Sequence, residues 1–65
     1  MTNSIKAWND FVTGEIKRIG TYHFRYGEKY VLIEKGRNND FEAWFEGEDD
    51  EVSIGETPHE AFSGL

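Results

Sequence analysis

Hydrophobic positions recur at two different periods along these 65 residues. Ile5, Trp8, Val12, Ile16 and Ile19 follow at steps of three, four, four and three, and Phe11 widens the row. That spacing is one stripe of an amphipathic α-helix. Lys6, Asp10, Thr13 and Lys17 fall on the other side. Asn3 or Ser4 can cap its start. Lys17 and Arg18 suit its last turn, and Gly20 suits the residue just past its end. Gly14 is the weak position, because glycine in a helix interior costs up to about 1 kcal/mol. An early end at Gly14 is the alternative.

From Thr21 the period changes to two. Tyr22, Phe24 and Tyr26 alternate with His23 and Arg25, which reads as a strand. Gly27-Glu28 is a two-residue turn with glycine first, the signature of a type II′ hairpin. Such a loop sets Tyr26 opposite Lys29, Phe24 opposite Val31 and Tyr22 opposite Ile33. Residues 35–40 form a loop by composition. Phe41, Ala43 and Phe45 then alternate with Glu42 and Trp44. Keeping side chains on their proper faces pairs Ile33 near Ala43 and Val31 near Phe45, with Trp44 beside Leu32. Past an acidic turn at Gly47-Glu48-Asp49-Asp50, Phe45 is expected to face Val52, and Ala43 to face Ile54. The expected core face is Tyr22, Phe24, Val31, Ile33, Ala43, Phe45, Val52 and Ile54.

Gly55-Glu56 breaks this strand. Thr57-Pro58-His59-Glu60 is a helix entry: threonine as cap, proline at the first helical position and glutamate two residues later to close a capping box. Ala61, Phe62 and Leu65 give that helix an apolar side. It is at most two turns long and must dock on something, because so short a helix is not stable alone. The fold class is therefore α+β: an N-terminal helix, a three- to four-stranded antiparallel meander and a short C-terminal helix. Residues 1–65 form a single domain.

The sheet has a second face, carrying His23, Arg25, Tyr30, Leu32, Glu34 and Trp44. If both helices cover the core face, Arg25, Tyr30, Leu32 and Trp44 form an exposed patch of the kind enriched in binding hot spots. If the short last helix covers them instead, the result is a three-layer sandwich.

Two stretches, Lys29-Tyr30-Val31-Leu32-Ile33-Glu34-Lys35 to Phe41-Glu42-Ala43-Trp44-Phe45 and Ser53-Ile54-Gly55-Glu56-Thr57-Pro58-His59-Glu60-Ala61, resemble two small prokaryotic groups. One is the sheet domain of HicB-type antitoxins, with a "YxVxIEK" strand, an aromatic strand and a "G-acid-T-P-x-E-A" helix start. The other is a set of small phage and prophage α-β-β-β-α sandwich proteins, which share the leading helix and the same helix entry. The acidic loop Glu46 to Glu51 stands where the antitoxins have a more apolar turn. The resemblance implies a prokaryotic or phage regulatory protein, or an antitoxin-like module that binds a basic ribonuclease toxin.

Composition adds an asymmetry. Residues 1–39 hold all seven basic residues and four acids, a balance of +3, whereas residues 40–65 hold nine acids and no Lys or Arg, a balance of −9. The net charge of −6 disfavours direct binding to a nucleic-acid backbone. Seven carboxylates fall between Asp40 and Glu51. They lack the ligand spacing of a calcium loop. Glu46, Glu48, Asp49, Asp50 and Glu51 read as a solvated turn, or as an acidic patch that docks a basic partner and imitates nucleic acid.

With no cysteine there is neither a disulfide nor a thiolate metal site. His23 and His59 share no motif, and no nucleophile or phosphate-loop pattern is present. No cofactor or metal is expected, and no catalytic residue. No apolar run approaches a membrane span, so a soluble cytoplasmic protein is expected. The reading is a small non-catalytic protein acting through protein contacts. Its partner is another protein, basic where the acidic patch is used, or a further copy of itself. A chain this short buries only about 60% of its unfolded surface, which makes oligomerisation a natural support.

Overall fold

The computed structural model describes residues 4–65. Helix α1 (Ser4–Ile19) leads into strands β1 (Tyr22–Tyr26), β2 (Lys29–Lys35), β3 (Phe41–Phe45) and β4 (Ser53–Gly55), and helix α2 (Pro58–Ser63) follows. The strands form one antiparallel sheet in the order β1-β2-β3-β4. This is the α+β meander that the periodicity predicts.

Helix α1 does not stop at Gly14 but runs on to Ile19. Gly20 then turns left-handed, with φ 94°, and its N–H donates to the Ile16 carbonyl at 2.7 Å. Glycine takes that conformation without a Cβ penalty. Capping by Asn3 concerns a position outside the described residues. The apolar stripe is narrower than its spacing suggests. Val12 and Ile16 are buried and Trp8 is half-buried, but Ile5, Phe11 and Ile19 are each half exposed or more. Helix α1 packs on the β1–β2 side of the sheet.

The first hairpin has the expected register, Tyr22 with Ile33, Phe24 with Val31 and Tyr26 with Lys29. Gly27 alone in the turn has positive φ, at 66°, as a type II′ turn requires. The second pairing also holds: Val31 with Phe45, Leu32 with Trp44, Ile33 with Ala43.

The third pairing is displaced by one residue. Ala43 faces Ser53, Glu42 faces Ile54 and Phe41 faces Gly55. Because side chains alternate, this moves Ile54 off the core face, where it is 62% exposed. Val52 lies outside the strand and is 43% exposed. The expectation that Val52 and Ile54 complete the core is corrected on both counts.

The physical reason is the approach of α2. A Cβ on Gly55 would stand 2.5 Å from the Ala61 backbone nitrogen and 2.7 Å from the Glu60 Cβ. On that side of β4 there is room for glycine and for the small Ser53, which touches Gly64. An isoleucine would not fit.

Helix α2 starts as its sequence predicts. Thr57, extended at φ −129° and ψ 160°, accepts a hydrogen bond from the Glu60 N–H at 3.1 Å. The Glu60 carboxylate reaches back to the N–H of Glu56, one residue before the cap, at 3.0 Å. The helix then buries Pro58 and Ala61.

Both helices lie on the same side of the sheet. Val12 and Ile16 of α1 and Ala61 of α2 share one core with Val31, Ile33, Phe41 and Ala43. Trp8 is the centre of an aromatic ring of contacts over it, with centroids 6.3 Å from Tyr22, 5.9 Å from Phe24, 6.0 Å from Phe62 and 6.1 Å from His59. Asn9 adds a polar tie, accepting from the His59 N–H at 2.8 Å. The described residues thus form two layers, with both helices on one face of the sheet and, among those residues, no element on the other.

Candidate functional site

The uncovered face is built by the alternate positions of four strands, and the register orders them into three rows. Arg25 stands opposite Tyr30, and the Glu46 N–H donates to the Tyr30 carbonyl at 2.9 Å. His23 stands opposite Leu32, which stands opposite Trp44. Glu34 stands opposite Glu42, which stands opposite Ile54. Sequence reasoning brought Arg25, Tyr30, Leu32 and Trp44 to one face, and the structure places them together there. It missed Ile54, which the displaced register adds. The signal was Gly55, whose lack of a side chain marks a close backbone approach as readily as a strand end.

Leu32 and Trp44 are half-buried among their sheet neighbours, whereas Tyr30 is 44% exposed. The Tyr30 ring lies 5.0 Å from the His23 ring. His23 Nε2 in turn meets Glu46 Oε1 at 2.9 Å, a contact that is an ion pair when the imidazole is protonated. Arg25 donates from Nε to the Gly27 carbonyl at 2.8 Å, which holds its guanidinium at the hairpin end of the face. Among the described residues it meets no carboxylate.

Glu34 and Glu42 are directly opposite and both half-buried, yet neither meets a cation among the described residues. Like charges at opposite positions destabilise a sheet by a few tenths of a kcal/mol up to about 1 kcal/mol. The face is therefore an apolar centre with Arg25, Tyr30 and the Glu46 carboxylate at one end and the Glu34–Glu42 pair at the other.

The acidic turn does not form one patch. Glu46 belongs to the open face through His23. Glu48 meets Lys29 Nζ at 2.9 Å, and that ammonium also lies 4.8 Å above the Phe45 ring. Two of the five acids are thereby spoken for, leaving Asp49, Asp50 and Glu51 solvated. Hydrogen bonds from the Glu48 N–H to the Phe45 carbonyl and from the Glu51 N–H to the Glu48 carbonyl set the turn. A shallow groove of about 410 Å³ runs on its helix side, lined by Phe45, Glu48, Asp50, Glu51, Val52 and Leu65.

The histidines have structural surroundings. His59 packs edge-on against Trp8, and its Nδ1 lies 3.3 Å from the Ser63 hydroxyl. It is half-buried rather than on the open surface. Among the described residues no three His, Asp or Glu side chains converge on a metal position, and no helix is long and apolar enough to cross a membrane. Compared with known proteins, the chain matches no family model, no curated protein and no solved structure.

Proposed function

We propose that this protein is a non-catalytic binding module whose working surface is the open sheet face. The observation that supports it is the placement of both helices on the opposite side. Among the described residues, Tyr30, Leu32, Trp44 and Ile54 are left together without a covering layer. An aromatic and aliphatic centre rimmed by arginine and carboxylates has the composition of a protein-contact hot spot. A prokaryotic or phage setting is proposed on the sequence resemblance alone.

The second reading, an acidic patch that imitates nucleic acid, has less in its favour. Lys29 and His23 draw two of its carboxylates into contacts within the chain.

The test is capture of partners on immobilised protein over a salt series, with each bound protein identified by mass spectrometry. Capture that survives salt and disappears with Trp44→Ala supports the open face. Capture that is lost at moderate salt and with Asp49, Asp50 and Glu51 changed to asparagine or glutamine, but not with Trp44→Ala, assigns the work to the acidic turn.

A further inference from the structure

On the helix side of the sheet, the groove along the acidic turn meets a second hollow. The groove, about 410 Å³, has Asp50 and Glu51 in its wall. The hollow, about 300 Å³, has Tyr26 and Phe62 in its wall. Phe45 and Leu65 line both, so the two are lobes of one site. We infer that this site binds a small organic amine, its apolar body in the aromatic lobe and its ammonium beside Asp50 and Glu51. The site is on the other side of the sheet from Trp44 and stands independently of the open-face reading.

The aromatic lobe suits a hydrocarbon body. Tyr26 meets Phe62 edge-on at 5.1 Å and still presents 57% of its surface. Burying an apolar body against such rings takes it out of water. Phe45, at the junction, already attracts an ammonium: Lys29 Nζ lies 4.8 Å from its ring centroid and 2.9 Å from the Glu48 carboxylate. That contact sets the charge balance. The acidic lobe is lined by three carboxylates, Glu48, Asp50 and Glu51, and by no Lys, Arg or His. Lys29 neutralises Glu48, whereas Asp50 and Glu51 meet no cation among the described residues. Three carboxylates against one ammonium leave two negative charges, which select a cationic head and reject an anionic one. A neutral hydrocarbon would leave the acids unused, and a bare inorganic cation would leave the rings unused. Lobes of this size hold one small ligand.

Phenethylamine is the probe. Phenylethyl alcohol is its neutral counterpart of the same shape, phenylpropionate its anionic one, and methylammonium the head without the body. Amide NMR spectra across a millimolar titration read where and how tightly each binds. Phenethylamine is expected to shift the amides of Phe45, Glu51, Val52 and Leu65 saturably, and the alcohol to bind about three- to tenfold more weakly. Phenylpropionate and methylammonium are expected to give no saturable shift. Asp50→Asn combined with Glu51→Gln brings phenethylamine down to the level of the alcohol, and Tyr26→Leu weakens both. Far-UV circular dichroism on each variant separates loss of the site from loss of the fold. The inference is overturned if these amides show no saturable shift, if amine and alcohol bind equally, or if the double neutralisation changes nothing. Shifts confined to Leu32 and Trp44 overturn it too, because they put the amine on the open face. An acetylated leucine-lysine peptide amide that shifts the same amides about tenfold more tightly than the amine also overturns it, and gives the groove to a protein partner.

Discussion

The side chain of Asn9 in helix α1 caps the backbone of His59 in helix α2, Oδ1 accepting from the N–H at 2.8 Å. A six-residue helix has little stability of its own. One of its free N–H groups is thus satisfied by the other helix rather than by solvent, which fixes the two helices as a unit on the sheet.

Asn9→Ala is expected to leave that part-buried N–H unpaired and to cost about 1–3 kcal/mol. Asn9→Asp, which keeps the acceptor, is expected to retain most of the stability. Urea denaturation of the three proteins checks the order.

Gly14 is exposed inside α1, and nothing lies within 4 Å of where its Cβ would be. Gly14→Ala is expected to stabilise the fold by up to about 1 kcal/mol. For a domain of this size that raises the melting temperature by about 4–8 °C. Differential scanning calorimetry reads the shift directly. Gly20→Ala, at a left-handed position, is expected to move it the other way.

The displaced register of β4 makes opposite predictions for two neighbours. Gly55→Ala drives a methyl group into the backbone of α2 and is expected to cost about 1–3 kcal/mol. Ile54→Thr is expected to stay within about 0.5 kcal/mol of the parent. Had Ile54 faced the core, the second substitution would have been the costly one.

In α1 the Arg18 guanidinium donates to the Glu15 carboxylate at 2.8 Å, and this hydrogen bond holds Glu15 below its ordinary value of 4.5. A lowered carboxylate contributes stability that is fully present above that value and is lost as pH falls through the folded one. The Lys6 ammonium, hydrogen-bonded to Asp10, is held above its ordinary 10.5, so its contribution is full below that value and lost at higher pH. Arg18→Gln is expected to return the Glu15 midpoint to the ordinary range in a carbon-detected NMR titration. The stability difference between parent and variant should then shrink on going from neutral to acid pH.

The order of elements, the first two registers and the start of α2 were legible because each rests on local chemistry. Gly27 sets the hairpin turn, alternation from Tyr22 to Phe45 sets the faces, and Thr57-Pro58-Glu60 sets the cap. What was not legible depends on how layers meet. Phe11 and Ile19 have helical spacing, yet each is more than half exposed, because spacing sets the face of a helix and not what covers it. Ile54 looks like a core residue until α2 comes to rest on Gly55. Whether α2 joins α1 or crosses to the other face was equally open, since its apolar side fits either. Three aromatic neighbours, Trp8, Phe24 and Tyr26, hold Phe62 on the α1 side. The open face followed from that placement, and most of it, His23, Arg25, Tyr30, Leu32, Glu34 and Trp44, was already grouped by alternation.

The two-layer arrangement also divides the two tryptophans between the two sides of the sheet. Trp8 sits within the aromatic cluster under the helices, and Trp44 sits in the middle of the open face. The chain thereby carries a built-in pair of fluorophores, one reporting on the integrity of the fold and the other on whatever settles against the bare side. With Trp44 replaced by phenylalanine the emission follows unfolding alone. With Trp8 replaced it follows occupancy, so binding and denaturation can be read as separate optical signals from one unlabelled molecule.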